Sequence, residues 1–476
     1  MLLHRFRWVY CQLEALRYFF PSNLRRSLNE LPSTVDETYE RILRDIRTND
    51  YAHRLLQCLT VAARPLRVEE LAEFLAFDFL ASTSGGIPKL KEDWRWDDQE
   101  EAVLSTCSSL ITIVPNGDSR VVRFSHFSVK QYLMSPRLAR SPDGDISQFH
   151  IDLDPAHTIM AQACLAILLR LDEHAGNSDV NWSPLIEYAA QHWVDHARFE
   201  NVSSRVQDGM DALFDTSKPH FAAWLRVHNI DERWSFFSRR RTDSVGSPLY
   251  YAALCGFYDL AERLIMKHPE QVNARGGLNL SPLPAALYKK HFRIANLLHE
   301  HGAVVHVQDS LGHTLLHVAS VSGQFDIMRW LLDHGADVNT QNPDGRTPLH
   351  DAAYNTHFDA VQVLLAHKAD VNSRDGTGMT PLYFVLTHDS TPEGKAVDIV
   401  RRLLDHEADP NIPDHRHSTA LHEASSRGWL EVSRLLLNYG AKVDEKDEKG
   451  RTPFQVAASE GHDEITNLLL EHGAVL

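Results

Sequence analysis

A short hydroxyl-bearing motif recurs through the second half of this chain at nearly constant spacing, and no other feature constrains the fold so tightly. Ser247, Ser281, Thr314, Thr347, Thr380, Thr419 and Thr452 each open one copy, with successive gaps of 34, 33, 33, 33, 39 and 33 residues. The fullest copy, GRTPLHDAAYNTHFDAVQVLLAHKADVNSRD, starts at Gly345; others start at Gly312 and Gly450. A fixed period of this length means one supersecondary unit used repeatedly, because a single copy cannot bury its apolar face alone. The local chemistry is that of two short helices joined by turns. Asp344-Gly345 and Lys449-Gly450 supply the positive φ of a tight turn. Thr347 can cap a first helix, and Pro348 sits in its first turn, where a missing N–H costs nothing. Ala352 and Ala353 are small enough for neighbouring first helices to approach, and Val363-Leu364-Leu365 packs the second helix. Gly335 and Gly473 read as C-caps. Trp330 takes the place of a second-helix leucine and is expected to be buried.

Thr-Pro-Leu-His followed by small residues, at this period, resembles the ankyrin repeat. The resemblance implies seven repeats over 246–476, whose turn tips and first helices form a concave face for a protein partner. Mapped onto that face, the expected contact residues are Arg346, Asp351, Tyr354, Asn355, Glu423, Arg427, Trp429, Arg451 and Gln455. The first two repeats depart from the pattern, with Ser-Pro-Leu followed by Tyr or Pro. The fifth carries an insertion, THDSTPEGKAVD, in which Pro392 and Gly394 indicate a surface loop. His317, His350 and His422 fill the repeat's own histidine slot and are expected to bond backbone between repeats. His301, His334, His406 and His472 end second helices. The group His299, His301 and His306 has no Cys or Asp to complete a metal set, so no metal is expected.

The first half reads as helices and one hairpin. Trp8, Leu13, Leu16 and Phe20 share one helical face; Ser33 or Thr34 can cap the helix in LPSTVDETYERIL, whose Asp36 and Glu37 favour its positive end. YAHRLLQCLTVAA and RPLRVEELAEFLAF are two further helices. Ala81 to Asp98 is a polar loop. VLSTCSSLITIV and RVVRFSHF give a helix end and two strands around a turn at Asn116-Gly117-Asp118. Phe124, Phe127, Val129, Tyr132 and Leu133 are expected in the core. Three helices and a hairpin outline a winged helix.

FRWVYCQLEALR, LPSTVDETYERIL, RPLRVEELAEFLAFDF and VRFSHFSVKQYL, in this order, resemble the tail of fungal NACHT-type (STAND) signalling ATPases. There a winged helix labelled after GPI inositol-deacylase precedes ankyrin repeats. PLIEYAAQHWVDHAR and HFAAWLR resemble the helical connector of the same proteins. The expected fold is mainly α: a helical tail over 1–50, a winged helix over 51–140, a helical connector over 141–245 and an ankyrin solenoid over 246–476. Such ATPases carry a phosphate-binding G-x-x-x-x-G-K-[ST] loop upstream of this tail. None occurs in these 476 residues, so no nucleotide cofactor is expected. The start at Met1 suggests a chain shorter than such relatives, and the end at EHGAVL suggests either a further truncation or a stack end that meets another protein.

No G-x-S-x-G elbow or His-Glu-x-x-His pair occurs, so no enzyme activity and no small-molecule substrate are expected. Hydrophobic residues make up 43% and the net charge is −16, which speaks for globular domains and against nucleic acid as the main partner. Between Tyr51 and Arg140 eleven Lys and Arg face eleven Asp and Glu, a poor footing for phosphates; a DNA-associated regulator is the alternative reading. Cys11, Cys58, Cys107, Cys164 and Cys255 form no Cys-x-x-Cys pair and suit free thiols. Charges interrupt every long apolar run, so no membrane association is expected. The expected setting is intracellular, in the cytoplasm with the nucleus as the other compartment, and the expected role is a protein-binding scaffold or signalling adaptor.

Overall fold

The computed structural model describes residues 34–475, apart from 47–48, 80–86, 108, 172–182, 229, 231–245, 277–280, 310 and 389–391. The helical face expected around Trp8 to Phe20 and the Ser33 cap lie outside the described residues. The chain is mainly helical and divides into two compact units, Met1–Lys267 and His268–Leu476.

In the first unit, helix α1 (Val35–Arg44) starts where the Thr34 hydroxyl accepts the Glu37 N–H at 3.2 Å. Helices α2 (Asn49–Val61) and α3 (Val68–Leu75) follow, then the two-residue strands β1 (Phe77–Asp78) and β2 (Lys89–Leu90). Helix α4 (Gln99–Cys107) leads into the hairpin of β3 (Ile111–Asn116) and β4 (Ser119–Phe124), and α5 (Phe127–Leu133) closes the domain. The hairpin register pairs Asn116 with Ser119, leaving Gly117-Asp118 as a two-residue loop with Gly117 at φ +59°. Leu66 adds to the edge of this sheet, its carbonyl accepting the Val122 N–H at 2.9 Å.

Two expectations change here. The stretch from Ala81 to Asp98 is not wholly loop: Lys89–Leu90 pairs with Phe77–Asp78, and Glu92–Trp94 forms a 3-10 turn. Alternation over two residues is too short a signal to read as a strand. Phe127 is no core residue but 60% exposed, because it opens α5 on the side away from Val129, Tyr132 and Leu133, which are buried. Helix α1 packs against α5. Tyr39 is buried, with its hydroxyl 2.8 Å from Ser128 Oγ and its ring 5.4 Å from that of Tyr132.

A buried ion cluster fixes α3. Glu70 is fully enclosed and takes Arg64 in a fork of 2.7 and 2.8 Å, with the Arg67 side chain at 3.0 Å and the Arg67 N–H at 2.8 Å. Burial alone would raise its pKa, but the Arg64 and Arg67 bonds outweigh that and hold it low.

The rest of the unit is helical: α6 (Leu153–Leu168), α7 (Ile186–Ala197), α8 (Gln207–Leu213), α9 (His220–Val227), α10 (Pro248–Cys255) and α11 (Tyr258–Lys267). The last two carry the first repeat's sequence, yet they pack on the helices before them. Trp193 stacks on Phe257 with centroids at 5.3 Å, and Tyr251 meets Phe221 and Trp224 edge-on. The Trp224 indole N–H donates to the Ala190 carbonyl at 3.0 Å, whereas the buried Trp193 indole N–H has no acceptor among the described residues. Cys58, Cys107, Cys164 and Cys255 are unbridged and buried, and burial pushes the Cys107 thiol up to about 12.

In the second unit six helix pairs follow the period: Pro282–Tyr288 with Phe292–Glu300, Leu315–Val321 with Phe325–Asp333, Pro348–Tyr354 with Phe358–Ala366, Pro381–Thr387 with Glu393–Asp405, Ala420–Arg427 with Leu430–Asn438, and Pro453–Glu460 with Asp463–Glu471. From Leu315–Val321 onward each first helix lies beside the next, and from Phe325–Asp333 onward so does each second helix. Trp330 is buried, and its indole N–H reaches Asn296 Oδ1 at 2.6 Å.

The expected loop of the fifth repeat is a correction. Asp389 to Thr391 lie outside the described residues, but from Glu393 onward the insertion is helical and lengthens the second helix to 13 residues, where its neighbours have nine. Glu393 Oε1 then accepts the N–H groups of Glu431 (2.7 Å) and Val432 (3.1 Å), capping the next repeat's second helix from outside. Among the described residues no helix is long and apolar enough to cross a membrane.

Candidate functional site

The repeat's histidines must be placed before its binding face can be read. His350 Nδ1 accepts the Thr347 N–H at 3.1 Å, so that nitrogen carries no proton; Nε2–H then donates across the repeat boundary to the Met379 carbonyl at 3.1 Å. His317 and His422 repeat this geometry toward Arg346 and Arg451. Burial lowers the pKa of all three, that of His350 to about 4, so they are neutral structural pins. His301, His334, His406 and His472 use the other tautomer, Nδ1–H donating to the carbonyl four residues back. His299 lies edge-on to the rings of Trp330 and His334.

The side chains left over on the first helices form the candidate face. Arg346 leads into Pro348–Tyr354, its guanidinium 4.9 Å above the Phe384 ring and 3.9 Å from Asp375. Tyr354, 37% exposed, meets Phe384 at 6.0 Å and His388 at 4.8 Å. One helix earlier Val321 is 48% exposed. Asp351 is only 8% exposed, and its Oδ2 has no hydrogen-bond donor among the described residues. Burial raises its pKa to about 7, against the pull of Arg346. Arg346, Asp351 and Tyr354 thus come together, and Asn355 supports them by donating its side-chain N–H to the Asp351 carbonyl at 2.8 Å.

The remaining expected contacts have structural work. Glu423 and Arg427 bond each other at 3.2 Å, and Arg427 also donates to the His388 carbonyl and lies over the Trp429 ring. Trp429 is a correction: at 8% exposure it is buried at the start of a second helix, where its ring packs under Arg427. Gln455 is another. Its side chain accepts the Thr452 N–H and closes a capping box, filling the slot that His takes elsewhere. Arg451 is held by Asp447 at 2.8 Å. Phe384, Val321 and His388 were missed; Phe384 stands 33 residues after Asp351, a signal the period itself offered.

Comparison with known proteins agrees with this architecture. Residues 39–150 match the family described as "GPI inositol-deacylase, winged helix domain". Overlapping segments from 249 to 476 match "Ankyrin repeats (3 copies)". The chain therefore joins a winged helix of the GPI inositol-deacylase type to a series of ankyrin repeats. It is 33% identical over 296 residues to the "Azaphilone pigments biosynthesis cluster protein L" of Monascus ruber. That alignment covers 58% of this chain and spans 61% of the length of the Monascus protein.

Proposed function

We propose that this chain is a non-catalytic scaffold or signalling adaptor, related to NACHT-type sensors, that binds a protein partner on its first-helix, concave face. Ankyrin repeats support a protein-interaction role. The observation that carries the reading further is the cluster of Val321, Tyr354 and Arg346: exposed apolar surface beside a part-exposed guanidinium. Buried hydrophobic and aromatic anchors of this kind dominate interface energies. The Monascus protein's name makes proteins of a pigment-biosynthesis cluster the first partners to test.

The DNA reading is not retained. Helix α4, which precedes the hairpin, begins with Glu100 and Glu101 after Asp97 and Asp98, and these repel the phosphates a groove-reading helix must approach.

The test places a photo-crosslinking phenylalanine analogue at Tyr354, and separately at Phe358, which is similarly exposed but opens the second helix. A partner crosslinked from position 354 and not from 358 is the expected result. The same products from both positions, or none from 354, would sink the proposal.

A further inference from the structure

Large aromatic side chains gathered in water are unusual on a folded surface, and three of them line one groove of the winged helix. Tyr51 is 40% exposed, Trp94 38% and Trp96 51%. The groove, about 690 Å³ in volume, takes its lining from the first turn of α2, the last residue of α3, the 3-10 turn with the residues after it, and α4. Leu75, Ala102 and Thr106 form its buried floor. The segment that carries the two indoles is tied down by the residue between them. Arg95 Nε donates to Glu73 Oε2 at 2.8 Å, and Glu73 is buried.

The charge of this segment is one-sided. Glu92 to Glu101 carries six carboxylates and one guanidinium. Several of these are already engaged. Arg95 is spent on Glu73, Glu92 pairs with Arg170 at 2.6 Å, and Glu100 pairs with Arg120. Asp98 Oδ1 accepts the Glu100 and Glu101 N–H groups at 3.0 Å and so caps α4. Asp93 and Asp97, both exposed and both in the lining, have no partner among the described residues. One cation already approaches the aromatic wall: Lys91 Nζ stands 6.0 Å from the centre of the Trp94 ring, the outer reach of such a contact.

We infer that this groove docks an arginine-bearing segment of a basic partner protein. Aromatic faces attract cations, and a planar guanidinium stacks on them in a way that an ammonium does not. Asp93 and Asp97 add acceptors for the guanidinium N–H groups, which bind carboxylates as a fork. The volume lies within the range of roughly 300–1,000 Å³ that encloses ligands larger than one side chain, so residues flanking the arginine enter with it. An acidic segment, or a nucleic acid, would meet like charge at Asp93 and Asp97. The inference stands independently of the ankyrin reading, since every lining residue belongs to the first unit.

The experiment uses the full chain and a fluorescent twelve-residue peptide of four Arg-Ser-Gly units, with Lys-Ser-Gly and Glu-Ser-Gly peptides as counterparts. Binding is read by anisotropy in about 0.1 M salt, where exposed charges more than roughly 10 Å apart are largely screened. The arginine peptide is expected to bind at least threefold tighter than the lysine peptide and at least tenfold tighter than the glutamate peptide. Trp96→Ala, and separately Asp93→Asn combined with Asp97→Asn, are each expected to weaken it at least fivefold; all three positions are exposed, so the fold is retained. Asp118→Asn combined with Asp359→Asn makes the same change of net charge at exposed positions outside the groove, and is expected to change binding less than twofold. Equal losses in the two double variants would mean non-specific attraction and overturn the inference. Full binding by Trp96→Ala, or no arginine-peptide binding at 1 mM, would do the same. A dimer of the full chain that Trp96→Ala dissociates and the arginine peptide does not would instead assign the groove to a second copy.

Discussion

At the scale of single residues, the two ionisable groups that sit side by side in one helix, His350 and Asp351, have opposite consequences. His350 is buried neutral with its pKa lowered to about 4, so the unfolded chain takes up its proton first, and stability is lost as pH falls from about 6.5 toward 4. Asp351 is the reverse. Its folded pKa lies near 7, above the ordinary 3.8, so the folded state holds the proton longer and stability is lost as pH rises from about 4 to 7. Asp351→Asn is therefore expected to stabilise the repeats at pH 8 by on the order of 2–4 kcal/mol and hardly at all at pH 4. Chemical denaturation at the two pH values checks this; equal gains at both would show that the carboxylate is already paired.

At the scale of elements, the repeat is closed by side chains bonded to backbone, and several were legible. The Thr-Pro-Leu-His slot announced its own hydrogen bonds, because a cap, a first-turn proline and an imidazole at fixed spacing leave few alternatives. The Asn ladder was not read. Asn339, Asn372 and Asn411 each accept a backbone N–H of the following repeat through Oδ1, at 2.8 Å in every case. His306 stands at the corresponding position of the second repeat. The insertion departs from the expected loop for a different reason. Pro392 and Gly394 signal a loop only where nothing else holds the backbone, and here Pro392 is the N-cap residue of a helix that Glu393 ties to its neighbour. Glu393→Ala is expected to leave the first-turn amides of Leu430–Asn438 without their partner, costing about 1 kcal/mol. Hydrogen exchange at Glu431 and Val432 should accelerate severalfold. Unchanged protection there would mean that the cap carries no energy.

At the scale of the whole molecule, sequence period and packing divide the chain at different places. The repeat pattern begins at Gly246, whereas the compact units part between Lys267 and His268. The first repeat spends its aromatic residues, Tyr251 and Phe257, on Trp193, Phe221 and Trp224. A fragment covering 34–267 is accordingly expected to melt cooperatively. One ending at 245 should melt at least 5 °C lower or aggregate, since burying large aromatics contributes roughly 3–5 kcal/mol each. Equal melting temperatures for the two fragments would place the boundary where the period starts.

By itself the sequence determined the repeats, their helix pairs, the histidine pins and the hairpin of the winged helix. All of these are set by interactions within one period or across a few residues, where caps, turns and spacing act locally. Only the tertiary structure decided which polar residues on the binding face are already satisfied. Glu423, Arg427, Arg451 and Gln455 have partners in the repeat fold, while Asp351 buries an oxygen without a donor among the described residues. Whether a carboxylate is solvated, paired or stranded depends on what the neighbouring repeats place around it, 33 residues away in sequence, and that is a property of packing.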